Sequence, residues 1–326
     1  MRCISFFYAG DLFFVAGNGI IIPVAITSMT LQKERFFNMP IKIPNDLPAA
    51  TTLADENIFV MNERRAFHQD IRSIKIVIIN LMPTGSGADL QLMRLLSSTP
   101  LQLEMDLIGL SSPSGQAPPN HLSVFYKRFD DVKDSSYDGM IITGAPVEDI
   151  PFGEVGFWPE LCAVMEWSKH HVYSSFHIGW GALAGLYHHY GIGSYPLAEK
   201  LAGVFPHYSP MPRHALMRGF DDIYYAPHYR RTAVRAEDIA AARDLRLLSC
   251  SDTAGVHIVS NSSDRKIFVT GHYDDNSAAG EHPAQDAAVN WRSAANLLFT
   301  NWINFIIYQD TPYDLSTLNN ACLKLQ

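Results

Sequence analysis

The chain has 326 residues, with 25 Lys and Arg against 33 Asp and Glu, which gives a formal net charge of −8. Hydrophobic residues make up 47% of it and charged residues 18%, a balance that is typical of a folded domain and excludes a fibre or a disordered protein. The negative balance argues against broad electrostatic binding to nucleic acid or to an anionic membrane. These values favour a protein that acts on a small molecule.

The first segment of the chain, residues 1–38, precedes the domain that we expect to span residues 39–326. Its apolar run, 12–26, looks superficially like a secretory signal, but Asn18 and Pro23 interrupt it and it is too short to cross a bilayer. Two interpretations stay open. The segment is either a weak targeting signal or an extension that results from an upstream start.

From Met39 onward, apolar β-branched runs alternate with segments of helical periodicity. The runs are typical of strands that are buried on both faces of a parallel sheet. Such alternation predicts an α/β fold, a mostly parallel sheet with helices on both faces. The predicted elements are strands at 74–81, 101–107 and within 137–146, a helix at 88–97, a helix at 157–170, a strand at 172–178, a helix at 180–190, β-rich segments at 204–218, 245–249, 255–260 and 266–270, and a final helix at 294–308.

The cysteines of the chain do not form a metal-binding or disulfide pattern. There are four of them, Cys3, Cys162, Cys250 and Cys322, and no CxxC pair or zinc-like spacing to histidine is present. We therefore expect no metal site, no tightly bound cofactor, and a reducing, cytoplasmic location.

The segment VYSSFHIGWGALAGL, 172–186, has the layout of a nucleophile elbow, a tight turn between a strand and a helix. The turn usually carries Ser or Cys as the nucleophile, and the backbone N–H groups at the start of the helix bind the oxyanion. Here the turn residue is Gly179, which has no side chain, while the backbone N–H of Trp180 is a candidate oxyanion donor. Because strand–glycine–helix turns are common in parallel sheets, a purely structural turn stays open.

Polar residues follow two of the predicted strands. His272 comes directly after the strand at 266–270 and precedes Asp274. An imidazole and a carboxylate at the carboxyl edge of a sheet are suited to act as a base and its orienting acid, although a turn histidine without a catalytic role is the alternative. Glu148 lies beyond the strand within 137–146, at the same edge, where parallel sheets bind ligands.

A set of collinear motifs carries a family resemblance from Met39 to about Leu315. The chain closely resembles the homoserine O-acyltransferases of methionine biosynthesis, acyl-CoA-dependent enzymes with a class I glutamine-amidotransferase-like fold. The resemblance implies that fold, acyl transfer to a small metabolite and a possible homodimer. The motifs include MPIKIPNDLPA (39–49), NLMP (80–83), DGMIITGAPVE (138–148), EKLAGVF (199–205), APHYR (226–230), FVTGH (268–272), WRSAANLLFTNW (291–302) and YQDTPYDL (308–315).

The resemblance assigns roles to the elbow and to the residues near His272. The family's acyl-accepting cysteine precedes the Trp of the elbow, where this chain has Gly179, so the covalent acyl-enzyme cannot form there. We expect the missing side chain to leave room for a bulkier acceptor. His272 matches the family's general base, and Asp274 stands where its acidic partner is normally Glu.

The resemblance also implies three substrate-binding residues. Lys200 matches the family's substrate-binding lysine, and Tyr229 stands where the family has a serine. Glu148 matches the residue that favours acetyl-CoA, because a buried carboxylate repels the second carboxylate of succinyl-CoA. The short segment 275–290 contains no arginine to bind an acceptor's α-carboxylate, and homoserine is therefore not the expected acceptor.

The function expected from these residues is acyl-CoA-dependent O-acyl transfer to a small metabolite, with acetyl-CoA as co-substrate and without a covalent acyl-enzyme. Three alternatives stay open. The cleft catalyses another acid–base reaction, such as elimination or cyclisation, or the chain is a non-catalytic binding relative. In the third alternative the nucleophile has moved to Ser174, Ser175 or Cys162.

Overall fold

A computed structural model gives the fold. The chain divides into two compact units, Met1–Asn38 and Met39–Gln326. In the first unit, strands β1 (Ile4–Tyr8), β2 (Asp11–Ala16) and β3 (Ile20–Pro23) pair in that order as an antiparallel sheet. The structure describes residues 51–53, 73–82, 87–110, 125–273 and 290–309 in full, and the backbone alone of residues 4–8, 11–16, 20–23, 41–43 and 60–62.

The second unit is organised around one sheet of ten strands among the described residues. The strands of this unit are β4 (Ile41–Ile43), β5 (Val60–Asn62), β6 (Ile74–Ile79), β7 (Leu103–Ile108), β8 (Tyr126–Lys127), β9 (Tyr137–Ile142), β10 (Val172–Ile178), β11 (Tyr195–His207), β12 (Tyr224–Ala233), β13 (Leu245–Ser251), β14 (Gly255–Asn261) and β15 (Lys266–Val269). The strand order in the sheet is β13-β14-β15-β10-β9-β6-β7-β4-β5, and β8 also pairs with β7. Strands β11 and β12 form a separate antiparallel hairpin.

The sheet is mostly parallel, as the sequence predicts. Its pairs from β15 through β10, β9, β6 and β7 to β4 and β5 are all parallel. The exceptions among the described pairs are β13 with β14 and β14 with β15, which are antiparallel and extend one edge. Parallel strands leave their carboxyl ends at a common edge, so the residues that follow β6, β9, β10 and β15 come together there.

Helices cover both faces of the sheet. The helices are α1 (Ala88–Leu96), α2 (Phe129–Val132), α3 (Trp158–His171), α4 (Trp180–Tyr190), α5 (Ala236–Ala241) and α6 (Arg292–Asn301), with 3-10 turns at Phe152–Glu154 and Ala215–Met217. The side chains of β6 point alternately to the two faces. Ile76 and Ile78 belong to a core cluster with residues of α1 and α6, whereas Val77 and Ile79 belong to a cluster with residues of α3 and α4. This confirms the predicted α/β architecture.

The structure corrects the predicted final helix. The continuous helix expected at 294–308 is α6 followed by a π-helical segment, Trp302–Ile307. The Trp302 indole is fully buried, where its Nε1 donates to Ser174 Oγ at 3.0 Å. It packs so closely on Gly139 that a Cβ at that residue would lie 2.9 Å from Trp302 Cη2. π-helical turns are rare and mostly interrupt or extend α-helices, and the helical spacing of apolar residues does not distinguish them from a continuous α-helix.

The structure also shifts the first β-rich segment of the second half. Strand β11 begins at Tyr195 and ends at His207, whereas the sequence pattern predicts β structure over 204–218. The later part of that range contains the 3-10 turn Ala215–Met217, which His214 caps by accepting a hydrogen bond from Leu216 N. The strand character of β11 is hidden in the sequence because Pro196 interrupts its start and because the hairpin is only partly buried, so no clean apolar alternation marks it.

Candidate active site

Gly179 forms the turn between β10 and α4. Its φ of 57° and ψ of −124° lie in a region that glycine adopts without penalty and other residues adopt only under strain. Its N–H donates to Val269 O at 2.8 Å, which ties the turn to β15. Two residues on, a Cβ at Gly181 would lie 2.5 Å from Thr143 O, so glycine is what lets α4 start so close to β9. This backbone is that of a nucleophile elbow.

The imidazole of His272 occupies the space next to Gly179. A Cβ at Gly179 would lie 2.8 Å from His272 Nε2 and 3.2 Å from two carbon atoms of the same ring. The backbone of His272 is fixed by a hydrogen bond from its N–H to Pro227 O at 3.1 Å. The expected room for a bulkier acceptor is therefore absent at this point, because the ring fills the place that a nucleophile's side chain would take.

The backbone N–H of Trp180 borders the same region. A Cβ at Gly144 would lie 3.6 Å from both His272 Nε2 and Trp180 N, so one small volume above Gly144 is in reach of both atoms. The first N–H groups of a helix have no intrahelical acceptor and lie at the positive end of its dipole. The Trp180 side chain is buried and makes an edge contact with Phe157, which fixes the start of α4.

A cavity of about 400 Å³ opens beside His272. It brings together four residues that the sequence singled out, Glu148, Lys200, Tyr229 and His272. Asp274, the expected acid partner of the histidine, lies outside the described residues. The described residues that line it are Met82, Ala145, Pro146, Glu148, Asp149, Lys200, Tyr229, Arg230, Arg231 and His272.

Glu148 is half-buried at one side of the cavity. Its Oε2 accepts a hydrogen bond from the backbone N–H of Arg231 at 2.6 Å. Burial raises the pKa of the Glu148 carboxyl, and the hydrogen bonds from the backbone of Arg231 and Thr232, together with the nearby charge of Arg230, offset only part of that effect. Backbone donors therefore hold the carboxyl in place at the wall of the cavity.

Lys200 and Tyr229 form a cation–π pair on the β11–β12 hairpin. Lys200 Nζ lies 3.6 Å from the centroid of the Tyr229 ring. The register of the hairpin shifts between Pro196 and Leu201, so Lys200 is part of an irregularity in its strand. A cation held over an aromatic face gains on the order of 0.5–2 kcal/mol, and the ring fixes the ammonium at the cavity.

A buried chain of hydrogen bonds lies behind the cavity, and sequence reasoning missed it. The Arg230 guanidinium, 3% exposed, donates from Nε to His228 Nδ1 at 3.3 Å and also binds two backbone carbonyls. His228 therefore carries its proton on Nε2 and donates to His207 Nε2 at 2.9 Å, and His207 in turn donates from Nδ1 to Phe205 O at 2.8 Å. The sequence contains one signal for this buried chain. Residues of β12 point alternately to the two faces of the hairpin, so a cavity-lining Tyr229 and Arg231 imply that His228 and Arg230 lie on the opposite, buried face.

Two histidines of this hydrogen-bond chain, His207 and His228, form a group with His257 that has the spacing of metal ligands, because their ligand atoms lie within 4.8 Å of one another. A metal-bound neutral histidine donates its other ring N–H to an acceptor. His228 instead accepts from Arg230 at that nitrogen, and a guanidinium has no acceptor to offer. The arrangement fits a hydrogen-bond chain rather than a metal site.

A second group with metal-ligand geometry lies on the α3–α4 side of the protein. It consists of Glu166, His188 and His189. Glu166 Oε1 already binds Lys169 Nζ at 2.6 Å and His188 Nε2 at 2.7 Å. None of these residues lines the cavity beside His272, as far as the chain is described.

The side chains considered as replacement nucleophiles lie elsewhere. Ser174 and Ser175 are buried in β10, where Ser174 Oγ accepts from Trp302 Nε1 and Ser175 Oγ bonds to His177 Nε2 at 3.1 Å. Cys162 lies on α3, and burial raises the pKa of its thiol. None of these three residues is among the described residues that line the cavity.

Comparison with known proteins decides the family. The sequence model of the homoserine O-succinyltransferases matches residues 40–282 and 277–313. The chain belongs to this family. It is 50% identical over 304 residues to a homoserine O-acetyltransferase of Acetivibrio thermocellus, covering 86% of this chain and 100% of that protein. It is 49% identical over 304 residues to a homoserine O-acetyltransferase of Methanomethylophilus alvi, covering 86% and 98%.

The family assignment confirms the resemblance drawn from the motifs and supports an acyltransferase-like function. The fold has a counterpart in a glutamine amidotransferase of Thermotoga maritima, with a TM-score of 0.50 and 9% identity, over 72% of this chain and 98% of that one. This likeness confirms the predicted fold class.

Within the described residues, no helix has both the length and the apolar character needed to cross a membrane. The cytoplasmic location and the homodimer stay predictions.

Proposed function

We propose that this protein transfers an acyl group directly from an acyl-CoA to the hydroxyl group of a small acceptor, with no covalent acyl-enzyme. The proposal depends on one observation, the relation between Gly179 and His272. The elbow backbone is retained without a nucleophile, and His272 Nε2 stands 2.8 Å from the place where the Cβ of a nucleophile would be. A base at that point is in reach of an acceptor hydroxyl bound in the cavity.

The reaction would take place in one ternary complex. His272 Nε2 removes the proton of the acceptor hydroxyl while the oxygen attacks the thioester carbonyl carbon, and a C–O bond forms. The backbone N–H of Trp180 stabilises the resulting oxyanion. When the C–S bond breaks, His272 returns its proton to the CoA sulfur, so the products are an O-acyl ester and CoA. Positioning and oxyanion stabilisation can each supply several kcal/mol of rate enhancement without covalent catalysis.

Glu148 supports acetyl-CoA as the donor. The carboxyl is fixed by a backbone N–H at 2.6 Å and is half-buried beside His272 in the cavity. A donor such as succinyl-CoA would bring a second carboxylate to this partly desolvated site, where like charges repel strongly. An acetyl group has no such charge. Asp274 is proposed as the residue that orients His272, as the motif implies.

The acceptor is proposed to be a hydroxyl-bearing metabolite other than homoserine. The support is the absence of arginine from residues 275–290, the segment that follows the catalytic motif. Because relatives at 49–50% identity are named homoserine O-acetyltransferases, homoserine is the first acceptor to compare. Lys200 and Tyr229, which line the cavity, are proposed to contact the substrate.

An assay of CoA release tests the proposal. The wild-type protein is incubated with acetyl-CoA and with homoserine, homoserinol or other amino alcohols, and the acetylated product is identified by mass spectrometry. His272→Ala should slow CoA release by about 100-fold or more, the usual contribution of a general base. His170→Ala, which removes an exposed histidine of α3, is the matched control and should leave the rate unchanged.

The outcomes separate the alternatives. Release of CoA at the same rate from wild type and His272→Ala, for every acceptor, contradicts the proposal and favours a non-catalytic binding protein. Acetylation of a side chain of the protein contradicts direct transfer and indicates a relocated nucleophile. Release that depends on His272 with homoserine as the best acceptor keeps the mechanism and overturns the acceptor assignment.

A further inference from the structure

Among the described residues, two positive side chains at the cavity have no acidic partner. Lys200 and Arg231 both line it. Within the part of the chain that the structure describes, neither the Lys200 ammonium nor the Arg231 guanidinium forms an ion pair with a carboxylate. Lys200 contacts the Tyr229 ring, and Arg231 binds Glu148 through its backbone N–H.

Lys200 and Arg231 occupy neighbouring positions on the two strands of the β11–β12 hairpin. Leu201 of β11 pairs with Arg230 of β12, and Ala202 pairs with Tyr229. Lys200 and Arg231 are the next residues outward on the two strands. Tyr229 and Arg231 are two positions apart on β12 and therefore share a face of the hairpin, while Arg230 between them is buried.

The acidic residue that contacts the backbone of Arg231 does not neutralise its guanidinium. Glu148 Oε2 takes the backbone N–H of Arg231, and the positive charge that favours the ionised form of this carboxyl is that of Arg230. The lining holds Lys200, Arg230 and Arg231 against Glu148 and Asp149. The described part of the lining thus carries a formal excess of one positive charge, in a chain whose formal charge is −8, and a local excess of positive charge favours an anionic ligand.

We propose that Arg231, together with Lys200, binds an anionic group of a substrate, either a phosphate of the CoA donor or a carboxylate of the acceptor. This inference rests on the proposed function, because it assigns the ligand of the same cavity. The planar guanidinium of Arg231 can bind either anion with two parallel hydrogen bonds. The Tyr229 ring holds the Lys200 ammonium at the cavity.

Calorimetric titration without turnover tests the inference on the full chain. Four probes are titrated. The two probes with an anionic group, called the anionic probes, are CoA, which carries phosphates, and homoserine, which carries a carboxylate. Their control probes are pantetheine, which lacks the phosphates together with the adenosine, and homoserinol, which lacks the carboxylate. Homoserine serves as the test carboxylate, although the proposed acceptor is another metabolite. Arg231→Gln should weaken one anionic probe by about 10- to 100-fold, since a hydrogen bond to a charged group is worth roughly one to two factors of ten in affinity. The affinity for the matching control probe should be unchanged. A loss for CoA identifies the phosphate, and a loss for homoserine identifies the carboxylate.

Two further variants separate charge from structure. Arg231→Lys keeps the positive charge and should recover part of the lost affinity. Arg243→Gln removes an exposed arginine outside the described cavity lining and should leave every affinity unchanged. The affinity of the wild type for the selected anion should also fall more steeply with salt concentration than that of Arg231→Gln.

The inference is overturned if Arg231→Gln binds both anionic probes as tightly as wild type, or if the substitution weakens binding of the control probes equally. It is also overturned if the wild type binds neither CoA nor homoserine. Binding that depends on Arg231, in a protein that releases no CoA with any acceptor, leaves the anion site in place and rejects the proposed acyl transfer.

Discussion

The imidazole of His272 occupies the space that a side chain at Gly179 would need, because its Nε2 atom lies 2.8 Å from the point at which a Cβ of residue 179 would be. The backbone of Gly179 still has the φ of 57° and ψ of −124° of an elbow. The imidazole therefore occupies the space in which the side chain of an elbow nucleophile would stand, next to a turn that has elbow geometry.

Gly179→Cys should return covalent chemistry to the site. The new side chain requires the His272 ring to move away, and a non-glycine residue at this backbone costs about 1–3 kcal/mol of stability. A thiol beside an imidazole has a lowered pKa and is nucleophilic, so incubation with acetyl-CoA should add one acetyl group to the chain, detected by intact-protein mass spectrometry.

Gly179→Ala is the control for that substitution, because it introduces the same strain without a thiol and should show no adduct. If Gly179→Cys folds, as judged by circular dichroism and thermal melting, and yet remains unmodified by acetyl-CoA, then the cavity does not bind the donor near residue 179. That result would argue against the proposed reaction.

Buried histidines should make the protein less stable in acid. Burial lowers the pKa of His207 to about 4 and of His177 to about 3, whereas an unfolded histidine has a pKa of about 6.5. Between these values the unfolded chain binds more protons than the folded one, so the free energy of unfolding falls as the pH is lowered from about 6.5. Each such histidine contributes a slope of up to about 1.4 kcal/mol per pH unit.

Urea unfolding at a series of pH values between about 7.5 and 4.5, the range that spans the unfolded pKa of histidine, measures this slope. His207→Asn should reduce the slope, and His170→Asn, at an exposed position, should not change it. A free energy of unfolding that stays level or rises on acidification would contradict the burial of these histidines in the neutral form.

Arg230 should contribute strongly to stability. Its guanidinium donates to His228 Nδ1 and to the carbonyl oxygens of Thr232 and Ala254 while being 3% exposed. Arg230→Met should lower the free energy of unfolding by at least about 3 kcal/mol, because it removes several charged hydrogen bonds and leaves buried acceptors unpaired. Arg235→Met, which removes an exposed guanidinium over the Tyr195 ring, should cost less than about 1 kcal/mol. Equal losses in chemical denaturation would show that the buried chain is not a stabilising unit.

Glu148 should set the choice of acyl donor. Glu148→Gln keeps the size of the side chain and removes its charge, so the repulsion of a second carboxylate is lost. The ratio of kcat/KM for succinyl-CoA to that for acetyl-CoA should rise at least about tenfold, the equivalent of 1.4 kcal/mol. Asp149→Asn is the matched substitution at the neighbouring carboxylate of the lining. A ratio that changes equally in both variants would assign the effect to the overall charge of the cavity.

Some features follow from local sequence patterns. The strand Val172–Ile178 and the helix Trp180–Tyr190 are predicted to the residue, because a continuous apolar run, a glycine and an apolar helix mark each boundary sharply. The convergence of Glu148 and His272 follows from the rule that loops after parallel strands share one edge. The motifs around Lys200 and Tyr229 single out these two residues, and both line the cavity.

Other features depend on contacts that no local pattern encodes. The hydrogen-bond chain from Arg230 to His207 joins two strands of a hairpin, and its buried members look like ordinary polar residues in sequence. The π-helical segment Trp302–Ile307 begins at a tryptophan that packs against Gly139 and Ser174, which are far away in the chain. The position of the His272 ring in the space beside Gly179 depends on backbone geometry from two different strands.

A rapid-quench experiment tests the central claim most directly. Protein in excess is mixed with acetyl-CoA in the absence of any acceptor, and free CoA and the mass of the chain are followed before and after an acceptor hydroxyl is added. Direct transfer predicts no stoichiometric burst of CoA before the addition, an unmodified chain throughout, and CoA release together with ester formation afterwards. A burst of one equivalent of CoA without acceptor, with an acetyl group on the chain, would contradict it.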